Sequence, residues 1–238
     1  FTARIALPDG DSYSMLTGDQ VGFLLADYLL SEGPDGARLV ATTIVSSQLL
    51  GRMAAELGVS FRQTLTGFKW IAAKMRTYED KLRAVLGPGL DYEGTPFEQR
   101  AKLLLAHSTF DVFGTEESYG YLPNDYLRDK DGNSAAVLIA EAAAYAKSQK
   151  LTLVGLLDRI FAEFGVYLER GESLTMDGAE GAAQIKKLVD SYAANPPTEI
   201  DGAKVVEMLN FATDTIHDVE GDRIPADCIL REARALSV

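Results

Sequence analysis

Cysteine is almost missing from these 238 residues, with Cys228 the sole thiol. An intramolecular disulfide and a cysteine-rich metal site are thereby excluded, and the usage fits a reducing cytosol. Cys228 itself reads as a small hydrophobe. Histidine is nearly as scarce; His107 and His217 have no matched partners in the sequence and read as structural or solvated. No apolar run approaches the roughly 20 residues that a membrane-spanning helix needs. No basic leader opens the chain, and it begins on Phe1 rather than Met, which points to a processed or excised segment. Neither a G-x-G-x-x-G turn nor a P-loop occurs. Positive charge is short as well: 23 Lys and Arg stand against 35 Asp and Glu, a net charge of −12. Such a surface repels nucleic acid phosphates and anionic membranes, so neither is an expected partner, while the cysteine usage sets the expectation of a cytoplasmic location. A small phosphorylated ligand is still allowed, because a few local cations or N–H groups hold one phosphate against a distant, screened field.

What is present is an ordinary globular composition, 47% hydrophobic and 24% charged, sufficient for a buried core. Apolar residues at helical spacing predict a helix over 19–30. Gly33, Pro34 and Gly36 then break the chain. The β-branched run over 38–45 reads as a buried strand. Ser46 or Ser47 is placed to cap a helix over 48–57, which Gly58 ends. A second strand over 59–65 leads through Thr66-Gly67 to a helix over 69–75. This β-α-β-α rhythm predicts an α/β fold with a mostly parallel sheet and helices on both faces. Between Arg76 and Gln99 the pattern dissolves into charges, glycines and prolines, which reads as an insertion or mobile excursion. A strand follows over 102–113. The alanine-rich stretch over 134–147 and the amphipathic one over 152–164 are helices. An extended link over 166–176 precedes a helix over 178–194, which Asn195-Pro196-Pro197 stops. The remainder reads as short strands and turns. The expected organisation is an α/β domain over 1–168 and a smaller α+β segment over 169–238.

Three local patterns carry chemistry. The first is TLTGFKWI over 64–71: a tight turn at a strand's carboxyl end, where open α/β sheets bind ligands. Gly67 permits close backbone approach, Lys69 supplies a cation, and Trp70 is the only indole. The second is FGTEESYG over 113–120. Two carboxylates and a hydroxyl at the end of an apolar strand suit the gripping of sugar hydroxyls. In an extended segment Glu116 and Ser118 share one face while Glu117 points to the other. The third is LRDKDGN over 127–133, where Lys130 lies between aspartates and can serve as an acid or base for a hydroxyl. Each pattern alone also reads as an ordinary turn, cap or solvated loop.

Taken in order, these segments resemble the sugar-binding third domain of the α-D-phosphohexomutases, which include phosphoglucomutases and phosphomannomutases. LTGDQVGFLLADYLL is similar to the family's LTGDxxGxLLxxYLL segment. ATTIVSSQLLGRMAAELGV is similar to its strand-helix unit ending in SS. TLTGFKWIAAKM, FGTEESYGYL and LRDKDGNSAAVLIAEAAA follow at the family's spacing, in the branch with the GFKWI form. The resemblance runs from about Arg4 to the end of the sequence. It implies that Thr66, Gly67, Phe68 and Lys69 lie in the sugar-orientation loop. It implies too that Glu116 and Ser118 bind sugar hydroxyls and that Lys130 is the proton-transfer residue.

The resemblance also implies residues that are not among these 238. The family's phosphoryl-carrying serine lies in a TxSHNP-like segment, and no Ser-His pair occurs here; His107-Ser108 is in reverse order. The family's magnesium loop reads DxDxDR, of which only Arg4 is matched. Magnesium is therefore expected for the full-length family with its carboxylate ligands elsewhere, and no metal ligand is assigned here. Asp9-Gly10-Asp11 fits the turn after that loop better than the loop itself. The run over 207–238 is similar to the approach to the family's phosphate-holding RPSGTEP-like loop. The implied parent activity interconverts hexose 1-phosphate and hexose 6-phosphate through a phosphoserine and a bisphosphorylated sugar. This chain would supply sugar recognition and be inactive alone, its partners being a phosphosugar and the remaining domains of the parent enzyme. The alternative is a non-catalytic module that binds sugar phosphates or regulates.

Overall fold

The computed structural model describes residues 2–9, 11–169, 174–205, 207–210 and 215–218, with only the backbone given for 9, 207–210 and 215–218. Cys228 and the side chain of His217 lie outside the described residues. By their own contacts the residues divide into two compact units, Phe1–Leu168 and Glu169–Val238.

The first unit opens with an antiparallel hairpin of β1 (Ala6–Asp9) and β2 (Ser12–Met15). Asp9 pairs with Ser12 at the end of this hairpin and Asp11 lies in a turn, as expected of a segment outside a metal loop. Helix α1 (Gly18–Glu32) starts at a capping box: Gln20 N–H donates to the Thr17 hydroxyl and the Gln20 side chain accepts from Thr17 N–H. Strand β3 (Arg38–Thr43), helix α2 (Leu49–Glu56) and strand β4 (Ser60–Thr64) follow. The Ser47 hydroxyl accepts from Leu49 N–H at 3.2 Å, while the Ser46 hydroxyl is engaged elsewhere.

The excursion expected between Arg76 and Gln99 is corrected by the structure. Helix α3 runs through it, from Phe68 to Leu86. Its buried residues Ile71, Met75, Tyr78 and Leu82 recur at the helical four-three-four spacing, hidden in the sequence among charged neighbours. Gly87, at φ 79°, ends the helix in a conformation that favours glycine. The strand expected to begin at Lys102 is corrected too: helix α4 spans Phe97–His107, after Pro96. Only then does β5 (Phe110–Glu116) begin, followed by the short β6 (Gly120–Leu122). Helices α5 (Gly132–Ser148) and α6 (Leu153–Phe164) complete the unit, the latter capped by the Thr152 hydroxyl.

The sheet order is β4-β3-β5-β6. Strands β4 and β5 flank β3 in parallel, and β6 is antiparallel to β5. This mostly parallel sheet carries helices on both faces. On one side Val40 and Phe113 join a core with Leu24, Leu50, Leu156 and Ile160 from α1, α2 and α6. On the other, Ala41 and Leu122 meet Phe68, Ile71 and Met75 of α3, while Leu82 and Leu104 pack where α3 meets α4. Each leucine so buried contributes about 1.5–3 kcal/mol relative to exposure. Helices α1 and α6 are also tied by Asp27 and Arg159, 3.0 Å apart. Burial raises the Asp27 carboxyl above its ordinary range although that guanidinium pulls the other way.

The second unit contains α7 (Gly178–Ala194), which ends at Asn195, the antiparallel pair β7 (Glu199–Ile200) and β8 (Ala203–Lys204), and the antiparallel pair β9 (Glu207–Asn210) and β10 (Thr215–Asp218). Among the described residues no helix is long and apolar enough to cross a membrane.

Candidate functional site

Because β3, β4 and β5 run parallel, their carboxyl ends lie at one edge of the sheet, with Thr43 opposite Thr64 and Thr42 opposite Thr115. The chain leaves β3 toward β4 and leaves β5 toward β6, so the outgoing connections diverge there. Such a divergence opens a crevice at the carboxyl edge. The loops after β3, β4 and β5 border it.

Glu116, the last residue of β5, is buried, yet its carboxylate reaches three of the residues singled out in the sequence. Its Oε1 accepts from Gly67 N–H at 2.8 Å. Its Oε2 lies 3.5 Å from Lys130 Nζ and 3.5 Å from Ser118 Oγ. Gly67 takes φ 110°, and a Cβ there would meet nothing within 4 Å, so conformation rather than space calls for glycine. Lys130 Nζ also stands 4.9 Å from the Phe68 ring centroid, within cation–π range. Phe68 is itself buried and forms the floor of this group. Gly120 sits so tightly on the ring that a Cβ would lie 2.6 Å from Phe68 Cε2. The structure therefore brings together Gly67, Phe68, Glu116, Ser118 and Lys130. Thr66 and Lys69 are exposed on the same turn, with Lys69 Nζ 5.0 Å from the Trp70 ring.

Glu117 lies in the turn 117–119 that follows β5, which corrects the extended segment expected there, and it engages residues that the sequence did not show. Glu117 Oε2 accepts from the Thr43 hydroxyl at 3.1 Å and the Ser46 hydroxyl at 3.3 Å, while Ser46 Oγ also lies 3.3 Å from Glu117 N–H. The loop after β5 is thereby locked onto the loop after β3. Gly18 closes the same arrangement: a Cβ there would fall 1.9 Å from the Glu117 carbonyl oxygen, and its own carbonyl accepts from the Tyr121 hydroxyl at 3.1 Å. Asp19 Oδ1 accepts from Ser47 N–H at 3.0 Å. The Gly-Asp of LTGDQ and the serine pair of VSSQ were the available signals for this scaffold. Arg4 lies 4.4 Å over the Tyr119 ring.

On the third side, Asp131 caps α5 by accepting from Asn133 N–H, and the Ser134 hydroxyl donates to it. These hydrogen bonds, the Ser134 hydroxyl first, hold its carboxyl below the usual range. Asp131 is thus engaged with its helix, leaving Lys130 to turn toward Glu116. Among the described residues, no group of three or more His, Cys, Asp or Glu side chains converges to hold a metal ion.

Parallel strands, helices on both faces and a polar crevice at the carboxyl edge define a three-layer α/β/α domain. Residues 17–87 and 101–164 match the model of "Phosphoglucomutase/phosphomannomutase, alpha/beta/alpha domain III". The chain belongs to the phosphoglucomutase/phosphomannomutase family. It is 29% identical over 223 residues to the phosphoglucomutase of Staphylococcus aureus strain MSSA476, covering 92% of this chain and 36% of that relative. The same figures hold for strain N315. The chain thus spans about a third of the length of the curated relatives it matches. A putative phosphomannomutase structure from Thermus thermophilus covers 68% of this chain and 31% of its own, at 20% identity and a TM-score of 0.47. The open form of the Paramecium phosphoprotein pp63/parafusin covers 91% and 33%, at 16% identity and a TM-score of 0.49.

Proposed function

We propose that this chain is the sugar-recognition part of a phosphohexomutase that interconverts hexose 1-phosphate and hexose 6-phosphate. The observation that carries the reading is the convergence of Glu116, Ser118 and Lys130 over the Gly67 turn, at the sheet edge where the fold places ligands. Gly67 N–H fixes one carboxylate oxygen of Glu116, which leaves the other to accept from sugar hydroxyls. Ser118 adds a group that donates and accepts. Thr66 and Lys69 border the bound sugar. Lys130, held beside Glu116, moves the proton of the hydroxyl that gains or loses the phosphoryl group. The phosphoryl-carrying serine and the magnesium ligands belong, in this reading, to other domains of a longer enzyme, and the chain alone turns over no substrate.

Titration of the chain with glucose 1-phosphate and its bisphosphate by calorimetry tests the reading. Glu116→Ala should weaken binding about 10- to 100-fold, the equivalent of one charge-assisted hydrogen bond. Ser118→Ala should weaken it less and leave the Gly67–Glu116–Lys130 contacts in place. Unchanged affinity in both variants would overturn the assignment. The second reading is a non-catalytic sugar-phosphate module, in which Glu116, Ser118 and Lys130 bind the sugar without the family's Ser-His-Asn-Pro segment. An upstream reading frame encoding that segment and a DxDxDR loop would eliminate it.

A further inference from the structure

Lys130 sits on a connection, residues 123–131, that contains neither helix nor strand. A lysine on such a connection would sample many positions unless something beneath held it. Two ion pairs do so, and both partners come from the α3–α4 segment. Arg100 of α4 grips Asp125 with a two-pronged contact, Nε to Oδ2 at 2.7 Å and Nη2 to Oδ1 at 2.6 Å. Arg128 Nη2 reaches both oxygens of Glu79 on α3, at 2.8 and 2.9 Å. The carboxylates are deeply buried, with side-chain exposure of 7% at Asp125 and 4% at Glu79.

We propose that Glu79 and Arg100 are positioning residues for Lys130, setting through Arg128 and Asp125 where its amine stands over the Gly67 turn. The polarity alternates: α3 offers an anion to the connection's cation, and α4 a cation to its anion. Swapping or shifting the connection would set like charges together, so the two pairs define one register. A two-pronged guanidinium contact fixes orientation as well as distance. Helix α3 serves as the common frame. Its first residue, Phe68, carries Lys130 on its ring face, and Glu79 holds the connection eleven residues further along, about 16 Å at 1.5 Å per residue. The arrangement is not one that stability alone would select, because Arg128 Nη1 is buried without a hydrogen-bond partner. Arg100 moreover lies in residues 88–100, between the two segments that match the family model. The clamp therefore rests partly on residues outside that shared pattern.

The role of Lys130 in sugar chemistry belongs to the preceding proposal, and the test separates the two. Lysines of the chain are converted to 13C-dimethyl-lysine, which keeps the charge, and the Lys130 resonance is assigned by its loss in Lys130→Arg. In the parent chain that resonance should be displaced by the Phe68 ring current. In Arg100→Met and in Glu79→Gln it should move at least halfway to the exposed-lysine position while thermal unfolding stays cooperative. Arg100→Lys keeps the charge but loses the fork, and should give an intermediate shift. The double swap Glu79→Arg with Arg128→Glu should restore much of the displacement. A Lys130 resonance unchanged in Arg100→Lys and Glu79→Gln overturns the proposal, and these mild variants serve even if Arg100→Met does not fold. Glucose 1-phosphate titrations on the same samples address the sugar reading: a displaced Lys130 with unchanged affinity upholds the clamp and removes Lys130 from sugar binding.

Discussion

Asp111 shows how one side chain's surroundings set a response of the whole fold. The residue is half-buried in β5, but its Oδ2 is inaccessible and accepts no hydrogen bond. It borders a cavity of about 10 Å³ shared with Glu79 of α3, Tyr92 and Asp125. Burial pushes the Asp111 carboxyl up to about 8, with the Phe113 N–H pulling weakly the other way. The neighbouring carboxylates are neutralised by Arg128 and Arg100. An acid whose pKa is higher folded than unfolded keeps its proton longer in the native state. Stability is therefore unaffected below the unfolded value near 3.8, falls as pH rises from there toward 8, and levels off above. The slope contributed by one such group is at most about 1.4 kcal/mol per pH unit. Asp111→Asn should remove that slope, so urea midpoints of parent and variant should be similar below about pH 4, diverge steadily in the variant's favour as pH rises toward 8, and keep a constant gap above that. Parallel curves between about pH 4 and 8 would show that Asp111 ionises normally. Nothing in FDVFG announces this burial, because the lid over Asp111 comes from residues separated from it in sequence.

At the scale of elements, the start of α1 does two jobs. Its capping box satisfies N–H groups that have no partner within the helix, and it presents Gly18 to the Glu117 loop. Thr17→Ala should cost about 1 kcal/mol, read as a lower denaturation midpoint, and Thr17→Ser should recover most of it. Elements with one uninterrupted period were legible in the sequence: α1, α5, α6 and α7 are found within two residues of their expected bounds. So were β3 and β4, framed by turn residues. The stretch after Met75 was not, because an amphipathic stripe interrupted by Glu79, Asp80, Lys81 and Arg83 resembles a solvated loop when the partner helix α4 is itself unrecognised. The site was legible to the same degree. The extended reading paired Glu116 with Ser118, and the two do meet, but residues 117–119 form a turn with Tyr119 at φ 63°, so the contact comes from that turn and not from strand alternation. What Glu117, Glu79 and Arg100 touch depends on pairings 25 to 74 residues away in sequence, which no local period encodes.

For the molecule as a whole, the candidate site belongs to one of the two compact units. Every residue of the candidate site, from Thr66 to Lys130, and both ion pairs of the clamp fall within Phe1–Leu168. That unit holds the whole four-stranded sheet and its cores on both faces. A domain of this size buries enough surface to fold by itself. The last residues of that unit carry exposed apolar groups, Val166 and Leu168 among them, without helix or strand. A fragment ending at Leu168 should therefore unfold cooperatively, with a far-ultraviolet spectrum rich in helix. Its affinity for glucose 1-phosphate should match that of the 238-residue chain within about threefold, less than 0.7 kcal/mol. Loss of cooperative unfolding would mean that the remaining residues complete the core. Retained folding with affinity lost more than tenfold would instead place part of the sugar-phosphate contact in Glu169–Val238 and move the recognition site off the sheet edge alone.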